Sequence, residues 1–166
     1  MKSEELRAIQ APFKEQYQSE PDTALITLKA QGHLGEGITC NVQTGKALVE
    51  AGLHPATGGT GLSACSGDML LEALVACAGV TLNAVATALA IDIRDGVVRA
   101  EGDLDVRGTL GVTKEAPVGF RSIRLNFDLD SDASAEQLAT LIRLTERYCV
   151  VYQTLRQAPH IEVSYQ

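Results

Sequence analysis

Four cysteines are the residues of this sequence best suited to do chemistry: Cys40, Cys65, Cys77 and Cys149. They form no C-x2-C pair, and the three histidines form no H-x3-H pair, so their spacing does not indicate a zinc site. Structural disulfides are not expected in a chain that we predict to be cytoplasmic. Each cysteine therefore either fills space or does thiol chemistry.

Cys77 lies in the apolar stretch Leu70–Ile91, "LLEALVACAGVTLNAVATALAI", which predicts a long helix. Its neighbours one turn away make a dry environment: Ala73, Leu74, Val80 and Thr81. Burial in such surroundings disfavours the thiolate. Cys77 is thus a packing residue unless another segment supplies a cation or a hydrogen-bond donor.

Cys149 follows a second predicted helix, which opens with Ser134 and Gln137 in the spacing of a capping box. The apolar face of this helix collects Leu138, Leu141, Ile142 and Thr145, and Cys149 joins that face if the helix continues. Two thiols facing each other from separate helices are the arrangement of a peroxidatic and a resolving cysteine. The first would become a sulfenic acid, and the second would condense with it to a disulfide.

The sequence gives less reason to expect a reactive thiol at the other two cysteines. Cys40 lies between Ile38 and Val42 on the inward face of a predicted strand, where a small buried side chain is expected. Cys65 precedes the long helix, whose N-terminus would lower a thiol pKa, or it is a loop residue without a role. A cysteine hydrolase with His54 as base is a further hypothesis, but no third orienting group is evident.

Alternation of apolar and polar residues predicts several half-buried strands. The inward-facing sets are Ile26, Leu28 and Ala30; Ile38, Cys40 and Val42; Val98, Ala100, Leu104 and Val106; Ile123, Leu125, Phe127 and Leu129; and Ile161, Val163 and Tyr165 at the end of the chain. A weaker strand is expected over residues 46–51. A short helix is predicted before Pro21, and the turn-rich run 52–68 is predicted to be a loop in which Ser66 or Asp68 caps the long helix. The fold class is therefore α+β, with helices on one face of an antiparallel sheet.

Composition excludes several classes of function. The 166 residues suit one domain, and the net charge of -7 with 4% aromatic residues argues against nucleic acid and anionic membrane surfaces as partners. The charged N-terminus lacks an apolar signal core, so a cytoplasmic location is expected. The uncharged run 73–91 approaches membrane length, but its alanines, Asn83 and the adjacent Glu72 favour a helix buried in a soluble domain.

Two segments, "GDMLLEALVACAGVTLNAVA" and "LIRLTERYCVVYQTL", resemble the OsmC/Ohr family of thiol-dependent peroxidases. The resemblance runs from Ala24 to Gln166, which leaves residues 1–23 as an N-terminal extension before a single OsmC-like domain. It implies an antiparallel sheet packed on a long buried central helix and a second helix, in an intertwined homodimer. It also implies reduction of organic hydroperoxides in an oxidative stress response, with Cys77 peroxidatic, Cys149 resolving, an external dithiol as reductant, and no metal or bound organic cofactor.

The supporting residues depart from the family pattern. Peroxidase members carry an arginine in the turn between the first two strands, where this chain reads "QGHLGEG" and His33 stands nearest. A histidine replaces that cation only while it is protonated; the alternative is a solvated turn residue. Gly67 stands where the family glutamate is expected, and Asp68, one position later, either orients the cation or only starts the helix. Val150 replaces the proline that usually follows the resolving cysteine.

Two functions follow as competing hypotheses. The first is a peroxidase in which His33 and Asp68 tune the Cys77 thiolate, and in which apolar walls favour alkyl or fatty-acyl hydroperoxides. The second is a catalytically weak or inactive scaffold that binds an apolar small molecule or senses redox state. The missing arginine and glutamate favour the second hypothesis.

Overall fold

The structure is a computed structural model that describes residues 3–34, 40–42 and 51–165, with only the backbone described for residues 3–7, 28–30 and 40–42. Its helices are α1 (Ser3–Ser19), α2 (Ser66–Ala88), α3 (Val106–Thr109), α4 (Ala135–Tyr148) and α5 (Val150–Arg156). Its strands are β1 (Leu25–Leu34), β2 (Cys40–Val42), β3 (Asp95–Asp105) and β4 (Phe120–Asp130). The predicted α+β class is confirmed.

The four strands form one antiparallel sheet in the order β2-β1-β3-β4. β3 lies at its centre, pairing Ala100 with Ala30 of β1 and with Leu125 of β4. The predicted alternation is confirmed, since Val98 and Ala100 are fully buried while Arg99 between them is exposed. One face of the sheet therefore carries the core, and the other carries charged pairs such as Arg124 with Asp103.

The predicted long helix is α2, and it packs on the apolar face of the sheet. Leu71, Leu74, Val75 and Ala78 are buried there together with Val98 and Ala100 of β3. The opposite side of α2 is open, because Met69, Leu70 and Val80 are each more than a third exposed. The expectation of a long buried central helix is therefore met on only one side of α2 in the single chain.

α2 is also long and apolar enough to cross a membrane, with a mean hydropathy of 1.8 over its most apolar window, of which 39% is buried. Length and composition do not separate a membrane span from the core helix of a soluble protein. Packing of α2 against the sheet accounts for the apolar residues on that side of the helix.

Two expectations about helix ends have opposite outcomes. The capping box of α4 is confirmed: the Ser134 hydroxyl accepts from the Gln137 N–H, and the Gln137 side chain accepts from the Ser134 N–H. A cap of α2 by Ser66 or Asp68 is wrong, because the capping position is held by Cys65 without a side-chain hydrogen bond. Asp68 instead lies in the first turn, where a carboxylate is favoured by the helix dipole.

Three predicted strand segments fare differently. The terminal strand through Ile161, Val163 and Tyr165 is wrong for the single chain, because those side chains are 74%, 89% and 97% exposed and the segment has no regular structure. Val106 begins α3 rather than extending β3. Most of the weak strand at 46–51 lies outside the described residues, as do Ile38 and the side chain of Cys40.

The predicted N-terminal helix exists as α1, and it is packed on the domain rather than separate from it. Tyr17 is 4% exposed and packs with Ala24, Val106 and Leu110. Its hydroxyl donates to the Ala56 carbonyl at 2.7 Å. The division into an extension at 1–23 and a domain at 24–166 stays a prediction.

Candidate active site

α2 and the junction between α4 and α5 bring Cys77 and Cys149 together. Cys77 lies in the middle of α2 and is half-buried, whereas Cys149 is fully buried in the core cluster against which Cys77 packs. The two thiols are hydrogen-bonded to each other. Both are free cysteines in the structure.

Cys149 reaches this position because the second helix stops and restarts there. α4 ends at Tyr148, Cys149 takes an extended conformation with ψ of 109°, and α5 begins at Val150. The sulfur of Cys149 then caps α5 by accepting the Tyr152 N–H at 3.5 Å. Cys149 is thus a junction residue, and the condition under which it would join the apolar face of one continuous helix is not met.

The first turn of α5 supplies hydrogen-bond donors to Cys77. Burial raises the pKa of the Cys77 thiol, but hydrogen bonds from the backbone N–H groups of Val151 and Val150, the Cys149 thiol and the Thr81 hydroxyl outweigh it. The pKa of Cys77 therefore lies below its ordinary value. These donors are all neutral, so within the part of the chain that the structure describes the anion is favoured by oriented dipoles rather than by a cation.

Cys149 shifts in the opposite direction. Burial raises its pKa to about 11, and the hydrogen bond that it gives to Cys77 adds to the rise. The N–H of Tyr152 opposes this shift without cancelling it. The pair thus has one sulfur whose thiolate form is stabilised and a second sulfur held as a thiol that donates to the first.

Comparison with known proteins agrees with this architecture. The model of the OsmC-like protein family matches residues 59–164, which is well over half of the chain. The chain belongs to the OsmC-like family. No curated protein matches it.

Two solved structures of OsmC-like proteins share the fold. The chain is 19% identical to an OsmC-like protein from Mycoplasma pneumoniae, with a TM-score of 0.57 over 81% of this chain and 86% of that one. It is 21% identical to an OsmC-like hydroperoxide resistance protein from Jannaschia sp. CCS1, with a TM-score of 0.57 over 83% of this chain and 91% of that one. At such identities the likeness shows the fold alone.

His33 is not brought to the thiol pair in the single chain. It lies in β1 opposite Val97 of β3 and is exposed, while the next residue, Leu34, packs against the core cluster beneath α2. Successive side chains of a strand point to opposite faces, so His33 points away from α2. Its proposed role as the substitute for the family arginine receives no support from this placement.

Asp68 lies near His54 rather than near the sulfurs. Burial raises the pKa of the Asp68 carboxyl, and the charge of His54 partly offsets that rise. Burial and the charge of Asp68 both raise the pKa of Glu72, one turn further along α2. Neither carboxylate is among the groups whose hydrogen bonds set the pKa of Cys77.

His54 has a local structural role. Its Nδ1 accepts the Ala56 N–H at 3.0 Å and so caps the 3-10 turn Pro55–Thr57. A base for Cys65 or Cys77 needs a free ring nitrogen directed at the thiol, and the described contacts of His54 are with this turn and with Asp68. Cys65 stands at the start of α2, half-buried against the core.

The sequence interpretation missed the donors that favour the Cys77 anion. Thr81 follows Cys77 by one helical turn, and this spacing was a usable signal because i and i+4 side chains meet. The N–H groups of Val150 and Val151 left no such signal, since their freedom depends on the break at Cys149.

An apolar groove lies one helical turn from Cys77. It has a volume of about 470 Å³ and runs between α2 and α4, where Val85 and Leu144 are among its walls. Thr81 lines the groove and also donates to Cys77, so the groove opens one turn from the sulfur. A hydrocarbon chain lying there would place its head group near Cys77.

A second groove lies between β4 and the helices α4 and α5, next to Leu74 of α2. Its volume is about 560 Å³, and Leu74, Phe127 and Tyr152 line it. Among the side chains that the structure describes, no three His, Cys, Asp or Glu residues gather as a metal site. The expectation of no metal and no bound organic cofactor stays a prediction.

Proposed function

We propose that this OsmC-like chain is a thiol peroxidase that reduces organic hydroperoxides through Cys77 and Cys149. The observation that carries the proposal is the hydrogen-bonded thiol pair, with the pKa of Cys77 lowered and that of Cys149 raised. A lowered pKa and partial exposure are the properties of a reactive cysteine, and a nearby second thiol is what a resolving step needs. Family membership and the hydroperoxide resistance neighbour support the same reaction class.

The first step oxidises Cys77. Its thiolate attacks one peroxide oxygen, the O–O bond breaks, and the electron pair leaves on the alkoxide, which takes up a proton to become the alcohol. Cys77 is then a sulfenic acid. The neutral donors around the sulfur, including the Thr81 hydroxyl, hold the thiolate in place before the attack.

The second and third steps return the enzyme to its starting state. Cys149 loses its proton and attacks the sulfenic sulfur, an S–S bond forms, and hydroxide leaves and takes up a proton as water. An external dithiol then supplies two electrons and two protons, restores both thiols and becomes a disulfide itself. The reaction as a whole converts hydroperoxide and dithiol into alcohol, water and disulfide.

The groove of about 470 Å³ supports alkyl or fatty-acyl hydroperoxides as substrates. Transfer of each methylene from water to such apolar walls contributes about 0.8 kcal/mol, which a small polar peroxide cannot gain. The proposal therefore includes a preference for apolar hydroperoxides over hydrogen peroxide. A cytoplasmic location, where dithiol reductants keep cysteines reduced, and a homodimer belong to the same proposal.

Steady-state consumption of cumene hydroperoxide with dithiothreitol as the reductant tests the proposal. Cys77→Ser is expected to show no turnover above the reagent background, and Cys149→Ser is expected to consume one equivalent before slowing. Cys65→Ser, which removes a thiol outside the pair, is the matched control and should retain the wild-type rate. Wild-type turnover in Cys77→Ser would refute the assignment.

The second candidate function is a scaffold that binds an apolar small molecule or senses redox state. The groove of about 560 Å³ beneath α4 and α5 favours it, as does the placement of His33 away from the thiols. Native mass spectrometry of the protein purified from cells would show a bound lipid-like mass under this alternative. Such a mass together with absent turnover would replace the peroxidase proposal.

A further inference from the structure

A polar cavity of about 410 Å³ lies between the end of α1 and the segment that joins α3 to β4. Tyr17, Gln18 and Pro21 form one of its walls, and residues between Val112 and Pro117 form another. Neither cysteine of the thiol pair lines it, so the peroxidase mechanism proposed above leaves it without a role. Its volume is in the range of small-molecule sites.

An ion pair with a buried carboxylate forms part of the cavity wall. Asp105, at the end of β3, is 1% exposed and lines the cavity together with Arg107 of α3. Its carboxylate accepts the Arg107 backbone N–H at 3.2 Å and the Arg107 Nε–H at 2.9 Å. The Arg107 guanidinium holds the pKa of Asp105 below its ordinary value. The two charges therefore neutralise each other and fix this wall.

The loop wall of the cavity is held in place by backbone packing. Gly108 of α3 is buried, and a Cβ at this position would collide with the Pro117 carbonyl oxygen. Ala116 is 8% exposed, and the Glu115 N–H donates to the Thr113 hydroxyl at 3.2 Å. Because the loop rests directly on α3, the cavity is formed before any ligand binds.

A β-bulge places Arg121 at the cavity. In the ladder between β3 and β4, Asp103 pairs with Ser122 and Leu104 pairs with Phe120. Arg121 is therefore the extra residue of β4, with no residue opposite it. Such an insertion turns a side chain away from the direction that regular alternation would give it. Arg121 accordingly lines the cavity beside the Asp105 carboxylate, whose pKa its charge helps to lower.

Two charges on the cavity walls are unpaired within the part of the chain that the structure describes. Arg121 and Glu115 both line the cavity and are exposed, and neither side chain takes part in a described hydrogen bond or ion pair. A guanidinium offers only donors and matches a carboxylate, whereas a carboxylate offers only acceptors and matches an ammonium group. One free positive and one free negative charge complement a small zwitterion and disfavour a multiply charged anion such as phosphate.

We infer that this cavity binds an apolar α-amino acid, with the ligand carboxylate on Arg121 and the ligand ammonium group on Glu115. The Tyr17 ring, Val112 and Ala116 line the same cavity and supply apolar surface for the ligand side chain. Because α1 provides one wall, the bound amino acid would also join α1 to the rest of the domain. The inference does not depend on peroxidase activity.

Isothermal titration calorimetry of the full chain with leucine tests the inference. Isocaproate, which is leucine without its ammonium group, and isoamylamine, which is leucine without its carboxylate, should each bind about tenfold more weakly or worse. Arg121→Gln and Glu115→Gln should each weaken leucine binding by a similar factor. Lys114→Gln is the matched control, because Lys114 is exposed beside the cavity without lining it, and it should bind leucine like the wild type.

Three results would overturn the inference. They are the absence of binding by leucine, valine and phenylalanine alike, binding of isocaproate as tight as that of leucine, and unchanged leucine binding in both Arg121→Gln and Glu115→Gln. Far-UV circular dichroism checks that the variants are folded, as expected for exposed side chains. Cys77→Ser should bind leucine like the wild type, so failure of the proposed peroxidase function and failure of this site are distinguishable.

Discussion

At the scale of single residues, the site depends on opposite pKa shifts of two neighbouring cysteines. Cys77 gains its lowered pKa from four neutral donors, and Cys149 is one of them. Burial raises the pKa of Cys149 to about 11, and the hydrogen bond that it donates to Cys77 adds to that rise. Each sulfur thus sets the state of the other, and the missing family arginine has no direct replacement among these contacts.

Thr81 provides the most specific residue test. Thr81→Val removes the hydroxyl donor with little change in shape, and the pKa of Cys77 should rise, because the thiolate loses one of the hydrogen bonds that stabilise it. The pH dependence of iodoacetamide alkylation of Cys77 measures this shift. Thr87→Val is the matched control, since the Thr87 hydroxyl donates to the Asn83 carbonyl on the same helix.

The opposite shifts of the two cysteines predict selective labelling. At pH 8 the thiolate fraction of Cys149 is about one in a thousand, since its pKa is about 11. Cys77 should therefore react with a limiting alkylating reagent on the order of 100-fold faster, and its rate should rise with pH at lower values than that of Cys149. Peptide mapping by mass spectrometry gives both rates. The unfolded chain in urea is the control, where the two rates should converge; equal rates in the folded protein would contradict the assignment.

At the scale of elements, α4 holds Cys149 in place, and its start is secured by the Ser134–Gln137 capping box. Ser134→Ala should lower the free energy of unfolding by about 1 kcal/mol, because one backbone N–H at the helix start loses its acceptor. Urea unfolding followed by circular dichroism measures the change. Ser164→Ala, at an exposed serine of the C-terminal segment, should change it by less than about 0.5 kcal/mol.

The elements also show where sequence patterns are sufficient and where they fail. Alternation through Val98 and Ala100, and the capping spacing at Ser134, report local geometry, so β3 and α4 were predictable. The break at Cys149 was not, because residues 148–151 carry neither glycine nor proline and the buried position of the sulfur decides it. The pairing of the two thiols was predictable only as a hypothesis, since sequence carries no distance between helices.

At the scale of the whole molecule, α1 and the OsmC-like fold form one packed body. The Tyr17 ring is buried between α1, α3 and the turn that contains Ala56. The family model begins at residue 59. The packing of Tyr17 against Val106 of α3 therefore joins a segment outside the family match to the matched domain. We therefore expect α1 to unfold together with the rest of the chain.

Tyr17→Phe tests this cooperative unit. It removes the donor to the Ala56 carbonyl and should cost about 1 kcal/mol, whereas Tyr17→Ala should cost about 3 kcal/mol through the cavity that it leaves. Both variants should shift a single unfolding transition. Tyr165→Phe, at a tyrosine that is 97% exposed, should leave the transition unchanged. A separate early transition in Tyr17→Ala would show that α1 unfolds independently.

The most direct measurement of the central claim is the disulfide state of the protein after one equivalent of cumene hydroperoxide. Non-reducing peptide mapping by mass spectrometry should show the Cys77 and Cys149 peptides joined in the wild type. In Cys149→Ser it should show Cys77 as a sulfenic acid. Peroxide treatment that leaves both peptides separate and unmodified, or that joins Cys65 instead, would contradict the account.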